Sequence, residues 1–366
     1  MDGTEVTGAE LRDTRAIGSA PDSAPDDPYN PALLDNIGLP RARPITPSGP
    51  KMDIASYLLF GVTAAVLHLV SLLPDFVLYP GAMFGTLLSL HFDKRHTRIG
   101  VANLKIAFPE KTDAERWRIL RASYLNLGRC AAEYIRLAGF FRHRLARRTR
   151  YATMFDLEGF LPAYRRQGIL ILSAHFGNFE LLAPVHAMHG YQVSLVHRTQ
   201  RILFADKLLT YVRERAGVQV IRKYRAARAV IRALDNGELV GIPFDQNAKR
   251  REAVYAPFFG ELAATSSGLA RLAASSRAHV LPVFIVREGD GRHHRIEIHD
   301  PIEVQRTSDP QADIVENTRR FVNAVEGIAR RYPEQFLWTH RRYRTRPPGA
   351  RAIYDWEIQK SRRRKA

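Results

Sequence analysis

His175 and Glu180, in Ser173-Ala174-His175-Phe176-Gly177-Asn178-Phe179-Glu180, are the residues of this 366-residue chain whose types and spacing could do chemistry. The run from Gly168 to Ser173 is short, apolar and without helical spacing, which predicts a buried strand. That strand would deliver His175 to its C-terminal end, where open α/β sheets bind ligands. Gly177 permits a tight turn, Asn178 suits an N-cap, and Glu180 then falls in the first turn of a helix. A carboxylate so placed can bond one imidazole nitrogen, fix the tautomer and stabilise the imidazolium, leaving the other nitrogen to take a proton from a hydroxyl. From spacing alone a second reading stands beside this one: a buried, hydrogen-bonded histidine and a surface glutamate.

Other chemistries fit less well. Ser173 lies on no Gly-x-Ser-x-Gly elbow. The single cysteine, Cys130, falls on or beside the apolar face of an expected helix and reads as packing; it excludes an intramolecular disulfide and a cysteine-held structural zinc. The thirteen histidines form no His-Glu-x-x-His pattern, and no phosphate-binding or dinucleotide-type glycine loop occurs. No metal or organic cofactor is implied.

The elements around the pair read as α/β. Trp117, Leu120, Tyr124, Leu127, Ala131 and Ile135 recur at helical spacing from about residue 113. Strands are expected at 168–173, 192–196, 239–243, 279–286 and 295–299, and helices at 178–189, 226–234, 266–276 and around 314–328. The alternation argues an open mixed, largely parallel sheet with helices on both faces. Ahead of it, residues 54–73 and 76–92 carry no formal charge and flank Pro74-Asp75. We expect residues 51–93 to form membrane-associated apolar helices, either spanning or lying as a re-entrant or interfacial pair. Lys94, Arg95 and Arg98 follow at once and favour a cytoplasmic face for the domain beyond, residues 94–350. Residues 1–50 are proline-punctuated, with eight acidic against four basic residues, and are expected to be a disordered extension; residues 351–366 form a basic tail.

The formal net charge is +18. An excess of this size implies an anionic partner: nucleic acid, a phospholipid surface or an acidic carrier. No RNP, helix-turn-helix or zinc-finger pattern accompanies it, so a nucleic-acid-binding module is the weaker reading.

At this point a resemblance to a known family enters. His175-x4-Glu180 is similar to the signature of glycerolipid and lipid A acyltransferases. Asn103-Leu104 with Phe108-Pro109-Glu110, then Asn126 and Glu133, resemble early elements of the late lipid A acyltransferases, the lauroyl and myristoyl transferases. Pro257-Phe258-Phe259-Gly260 with Ala264-Thr265, the strand from Ala278 to Phe284, and the segment from Pro333 to Pro347 (PEQFLWTHRRYRTRP) resemble later ones. Together they cover about residues 52–350. The resemblance implies transfer of a fatty acyl chain from acyl carrier protein or acyl-CoA to a hydroxyl of a lipid A precursor, without a covalent enzyme intermediate. His175 would be the base and Glu180 its orienting carboxylate. Arg213, Arg198, Asn178 and Asp245 would serve substrate binding, the arginines meeting acceptor phosphate or developing negative charge. Asn247 stands where the family often carries a second acidic residue. The implied location is the bacterial inner membrane, on its cytoplasmic face, in contact with membrane phospholipids. Another glycolipid or a lysophospholipid as acceptor, or water in a thioesterase, would use the same histidine chemistry.

Overall fold

The computed structural model describes residues 53–140, 142–153, 168–224, 226–354 and 356. The expected extension at 1–50 and most of the basic tail lie outside them.

Two apolar helices come first, α1 (Ile54–Val70) and α2 (Asp75–Phe92), joined at Pro74-Asp75. At 1.5 Å per residue the 17 residues of α1 extend roughly 25 Å, short of a bilayer core of about 30 Å. Among the described residues no helix is long and apolar enough to cross a membrane, so the spanning form of the sequence expectation is not found. The Asp75 carboxylate accepts from Arg136 at 2.6 Å and Arg148 at 3.2 Å, and Arg136 also donates to the carbonyls of Ser71 and Leu73. The turn between the helices is thereby fastened to the body of the protein.

Helices α3 (Lys94–Ala107) and α4 (Asp113–Ala138) follow. A capping box of Thr112 and Glu115 starts α4. Its inner face differs from the sequence reading: Trp117 is 44% exposed and Ala131 is exposed, whereas Asn126, Cys130 and Glu133 are buried. Leu120 and Tyr124 of the expected stripe are buried in the core, and a buried polar network that includes Asn126 and Glu133 extends the inner face beside them. A Cβ on Gly128 would lie 2.6 Å from the Met83 Cα, which is how closely α4 crosses α2.

After α5 (His143–Arg147) the chain forms β1 (Thr149–Thr153), β2 (Ile169–Ser173), α6 (Phe179–Met188), β3 (Val193–His197), α7 (Leu203–Arg215), β4 (Val218–Arg222), α8 (Ala227–Asp235) and β5 (Leu239–Pro243). A hairpin of β6 (Ala253–Phe258) and β7 (Glu261–Ser266) stands apart, and α9 (Gly268–Ser276), β8 (His279–Arg287), β9 (His294–Ile298) and α10 (Pro310–Arg331) complete the set. The seven-stranded sheet has the order β1-β9-β8-β2-β5-β3-β4. From β8 to β4 it is parallel; β9 pairs antiparallel with β8, and β1 runs with β9. Side chains alternate between two cores, Leu170 and Leu172 in one, Ile169 and Ile171 in the other, as a sheet covered on both faces requires.

The hairpin turn is Phe259-Gly260, both with positive φ (52° and 78°), as a two-residue hairpin loop demands. Phe259 is buried against Phe108 and Trp338, at ring-centroid distances of 5.6 and 5.7 Å. Three of the resembling segments thus meet in one aromatic cluster.

Candidate active site

Strands β2 and β5 are neighbours, and their register pairs Ser173 with Pro243. His175 and Asp245 each stand two residues beyond that pair, at the C-terminal ends of parallel strands. The Asp245 Oδ1 accepts from the backbone N–H of His175 at 3.0 Å and lies 2.8 Å from its Nδ1. Burial by itself would raise the Asp245 pKa; the adjacent imidazole and its hydrogen bonds outweigh it and hold the carboxyl down at about 2. An ionised carboxylate accepts only, so Nδ1 carries the proton and Nε2 presents its lone pair outward. The Gln246 side-chain amide meets Nε2 at 3.1 Å, and the Phe179 ring lies 4.7 Å from the imidazole. With 19% of its side chain exposed, His175 is reachable from one direction. Burial pushes its pKa down, but Asp245, with a smaller contribution from Glu180, moves it above the ordinary imidazole value.

This corrects the sequence reading of the orienting group. The carboxylate on His175 is that of Asp245, seventy residues away, and Asp245 is buried rather than placed to bind substrate. Glu180 stands in the first turn of α6 as expected, but Arg213 of α7 engages it through Nε at 3.1 Å and Nη2 at 2.8 and 2.9 Å. A guanidinium fork is the better-matched partner for a carboxylate. Arg213 also donates to the Nδ1 of His197 at 2.9 Å, whose Nε2 donates to Asp206 at 2.9 Å. Arg213 is therefore buried and held by Glu180 and His197. Arg198 is exposed at the end of β3. Asn178 occupies the N-cap position of α6 without capping it; its side chain is buried and donates to the Glu133 Oε2 at 2.6 Å.

The loop that carries His175 is held from several sides. Gly177 has φ +57°, and a Cβ there would come within 1.7 Å of the Ile285 carbonyl oxygen. The Gly177 carbonyl accepts from Asn126 and from the Cys130 thiol, each at 3.1 Å, and its N–H donates to the Gln335 carbonyl at 2.9 Å. Burial pushes the Cys130 thiol up to about 12, so it is no thiolate nucleophile. Beneath the loop, Arg287 donates to both Glu133 oxygens at 2.6 and 2.7 Å and to Asn126 at 2.8 Å. Opposite, the Leu337 N–H donates to the His175 carbonyl at 3.1 Å. The Asn247 N–H donates to His340 Nε2 at 2.9 Å and its Oδ1 accepts from the Thr345 N–H at 2.9 Å, fixing the Asp245 loop to the C-terminal segment. Burial lowers the His340 pKa to about 4, keeping it neutral as that acceptor. The asparagine that replaces the expected acid thus serves as a staple.

An oriented imidazole whose Nε2 faces the Gln246 amide, at the C-terminal ends of parallel strands and without an activated side-chain nucleophile, can deprotonate a hydroxyl that attacks directly. Residues 45–345 match the model of a family described as bacterial lipid A biosynthesis acyltransferase. The chain is 31% identical over 302 residues to a lipid A biosynthesis lauroyltransferase of Escherichia coli K12, covering 81% of this chain and 95% of that protein. It is 30% identical over 268 residues to a palmitoleoyltransferase of the same organism (72% and 83% covered), and 27% identical over 304 to a lipid A biosynthesis acyltransferase of Haemophilus influenzae (81% and 94%).

Proposed function

The chain belongs to the bacterial lipid A biosynthesis acyltransferase family, and from that premise we propose that it moves a fatty acyl chain from an acyl thioester of acyl carrier protein or coenzyme A to a hydroxyl of a lipid A precursor, with His175 as general base and Asp245 as the carboxylate that orients it. The observation that carries this reading is the 2.8 Å contact of Asp245 with His175 Nδ1, which leaves Nε2 as the outward acceptor. The acceptor hydroxyl displaces the Gln246 amide and gives its proton to Nε2 as its oxygen attacks the thioester carbonyl. Asp245 stabilises the resulting imidazolium. The tetrahedral intermediate then collapses, the C–S bond breaks, and the imidazolium returns the proton to the departing thiolate. The products are an ester and a free thiol, and His175 ends as it began. Glu180 acts on the imidazole through space, its negative charge held in place by Arg213. Arg198, exposed at the sheet edge, is the candidate for meeting an acceptor phosphate.

The two apolar helices support a membrane-surface location. Ile54, Leu58, Val62, Val66 and Leu69 form an exposed stripe on α1, and Phe76, Phe84 and Phe92 are exposed on α2. A contiguous apolar face of this kind suits helices lying in the interfacial plane.

Membranes containing wild type, His175→Ala or Asp245→Asn would receive labelled acyl-acyl carrier protein and tetra-acylated lipid A precursor. Label should enter the precursor and be lost in both variants. Label entering only an added lysophospholipid would overturn the acceptor, release as free fatty acid would make the protein a thioesterase, and transfer surviving His175→Ala would overturn the mechanism.

A further inference from the structure

Away from His175, a cleft of about 440 Å³ opens where the end of α2 meets the beginnings of α3 and α4. Leu87, Leu90 and Trp117 give it an apolar wall, and Lys94, Arg98 and Arg121 a cationic rim. Among the described residues none of these three cations makes an ion pair; the nearby Asp93 is held by His96 at 2.6 Å, and Asp113 by Arg116 and Lys105. All three cations are exposed. The cleft shares no residue with the His175 site. It adjoins the helix whose Phe84 and Phe92 are exposed.

We infer that this cleft is a binding site for the headgroup of an anionic bilayer phospholipid, the phosphate lying among Lys94, Arg98 and Arg121 and the first methylenes of a chain along Leu87, Leu90 and Trp117. The inference rests on the membrane-surface reading of α1 and α2 given above. The pairing of unpartnered cations with an apolar wall selects an amphipathic anion over a purely ionic one. The volume suits one headgroup with the start of a chain, and a protein helix would need a longer groove. Basic pockets beside membrane-associated helices are suited to anionic headgroups, each cation raising affinity about fivefold.

The test uses the full chain in two arms. In the first, dihexanoyl-phosphatidylglycerol, dihexanoyl-phosphatidylcholine and inorganic phosphate are titrated calorimetrically below the micellar range. The wild type should bind the phosphatidylglycerol, and Lys94→Gln/Arg98→Gln/Arg121→Gln should lose on the order of 100-fold in affinity. The control Lys249→Gln/Arg250→Gln/Arg251→Gln, exposed cations elsewhere, should bind as wild type. Trp117 emission should shift with saturation, and Trp117→Phe should abolish the shift. Equal binding of phosphatidylcholine or of phosphate alone, or an equal loss in the control, would overturn the site. In the second arm, vesicles of phosphatidylcholine with or without phosphatidylglycerol are sedimented with each protein. Failure of wild type to sediment with either, while the short-chain lipid still binds through the three cations, would overturn the membrane-surface reading and leave the site standing. Sedimentation with anionic vesicles that is unchanged in the triple variant would overturn the site and leave the surface reading standing.

Discussion

With His175 as the proposed base, the balance between burial and the Asp245 charge sets what pH should do to the rate. The imidazole acts as a base only when deprotonated, and Asp245 holds its proton above the ordinary pKa of about 6.5. The rate should therefore rise with pH through a midpoint above that value. Asp245→Asn removes the opposing charge and lets burial dominate, so the midpoint should move to lower pH while the maximal rate falls about 10²–10⁴-fold. A pH profile of kcat/KM checks both, and an unmoved midpoint would argue against the Asp245 role. Glu180 predicts a different signature. Its removal leaves the buried Arg213 guanidinium without its carboxylate, so Glu180→Ala should lower unfolding stability by about 3 kcal/mol, measured by denaturant titration. A double-mutant cycle with Arg213→Met should recover most of that loss.

The elements explain why the nearer carboxylate looked like the partner. Sequence spacing sees Glu180 five positions away, whereas Asp245 reaches His175 only because β2 and β5 are adjacent and in register at Ser173 and Pro243. One signal was available: both strands are short apolar runs followed, two residues on, by a titratable side chain. The strands around β2, β5 and β8 were legible because they are apolar on both faces. The inner face of α4 was legible only in part: Leu120 and Tyr124 are buried as their spacing suggests, but Asn126 and Glu133, which hydropathy counts as surface, are buried beside them. Those polar residues have their own consequences. Burial alone would raise the Glu133 pKa, but His294 and Arg287 outweigh it and hold it near 2. A depressed carboxyl contributes stability that is present above its unfolded value of about 4.5 and is lost as pH falls toward 2. Glu133→Gln should flatten the acid limb of the stability curve between those values and lower stability near neutrality, as chemical denaturation at a series of pH values would show. Gly177→Ala tests the same scaffold sterically. The Ile285 carbonyl leaves no room for a Cβ, so the His175 loop must shift, and a displacement near 1 Å should cost about 10²-fold in kcat with a smaller change in KM.

For the whole molecule, the question is how a chain with net charge +18 meets a lipid substrate. Charge and apolar surface act over different ranges. A positive field draws a protein toward anionic membranes but is screened within about 8 Å at physiological salt. The α1 and α2 stripe acts only on contact and is indifferent to salt. Arg136 and Arg148 clamp Asp75 in the turn between those helices, so the stripe is presented as part of the body that carries His175. Membrane association should therefore have two separable components. Raising salt to 1 M should weaken binding to anionic vesicles while leaving a residual, salt-insensitive fraction. Leu58→Ser/Leu69→Ser/Phe84→Ser, three residues more than half exposed, should remove that residue at about 1.5–3 kcal/mol for each side chain that the bilayer buries, with little change in thermal stability. Vesicle sedimentation across a salt series, read beside a melting curve, checks this. Were binding abolished by salt alone in the unaltered chain, the stripe would have no contact with lipid, and acceptor would have to reach His175 from a surface held only by charge.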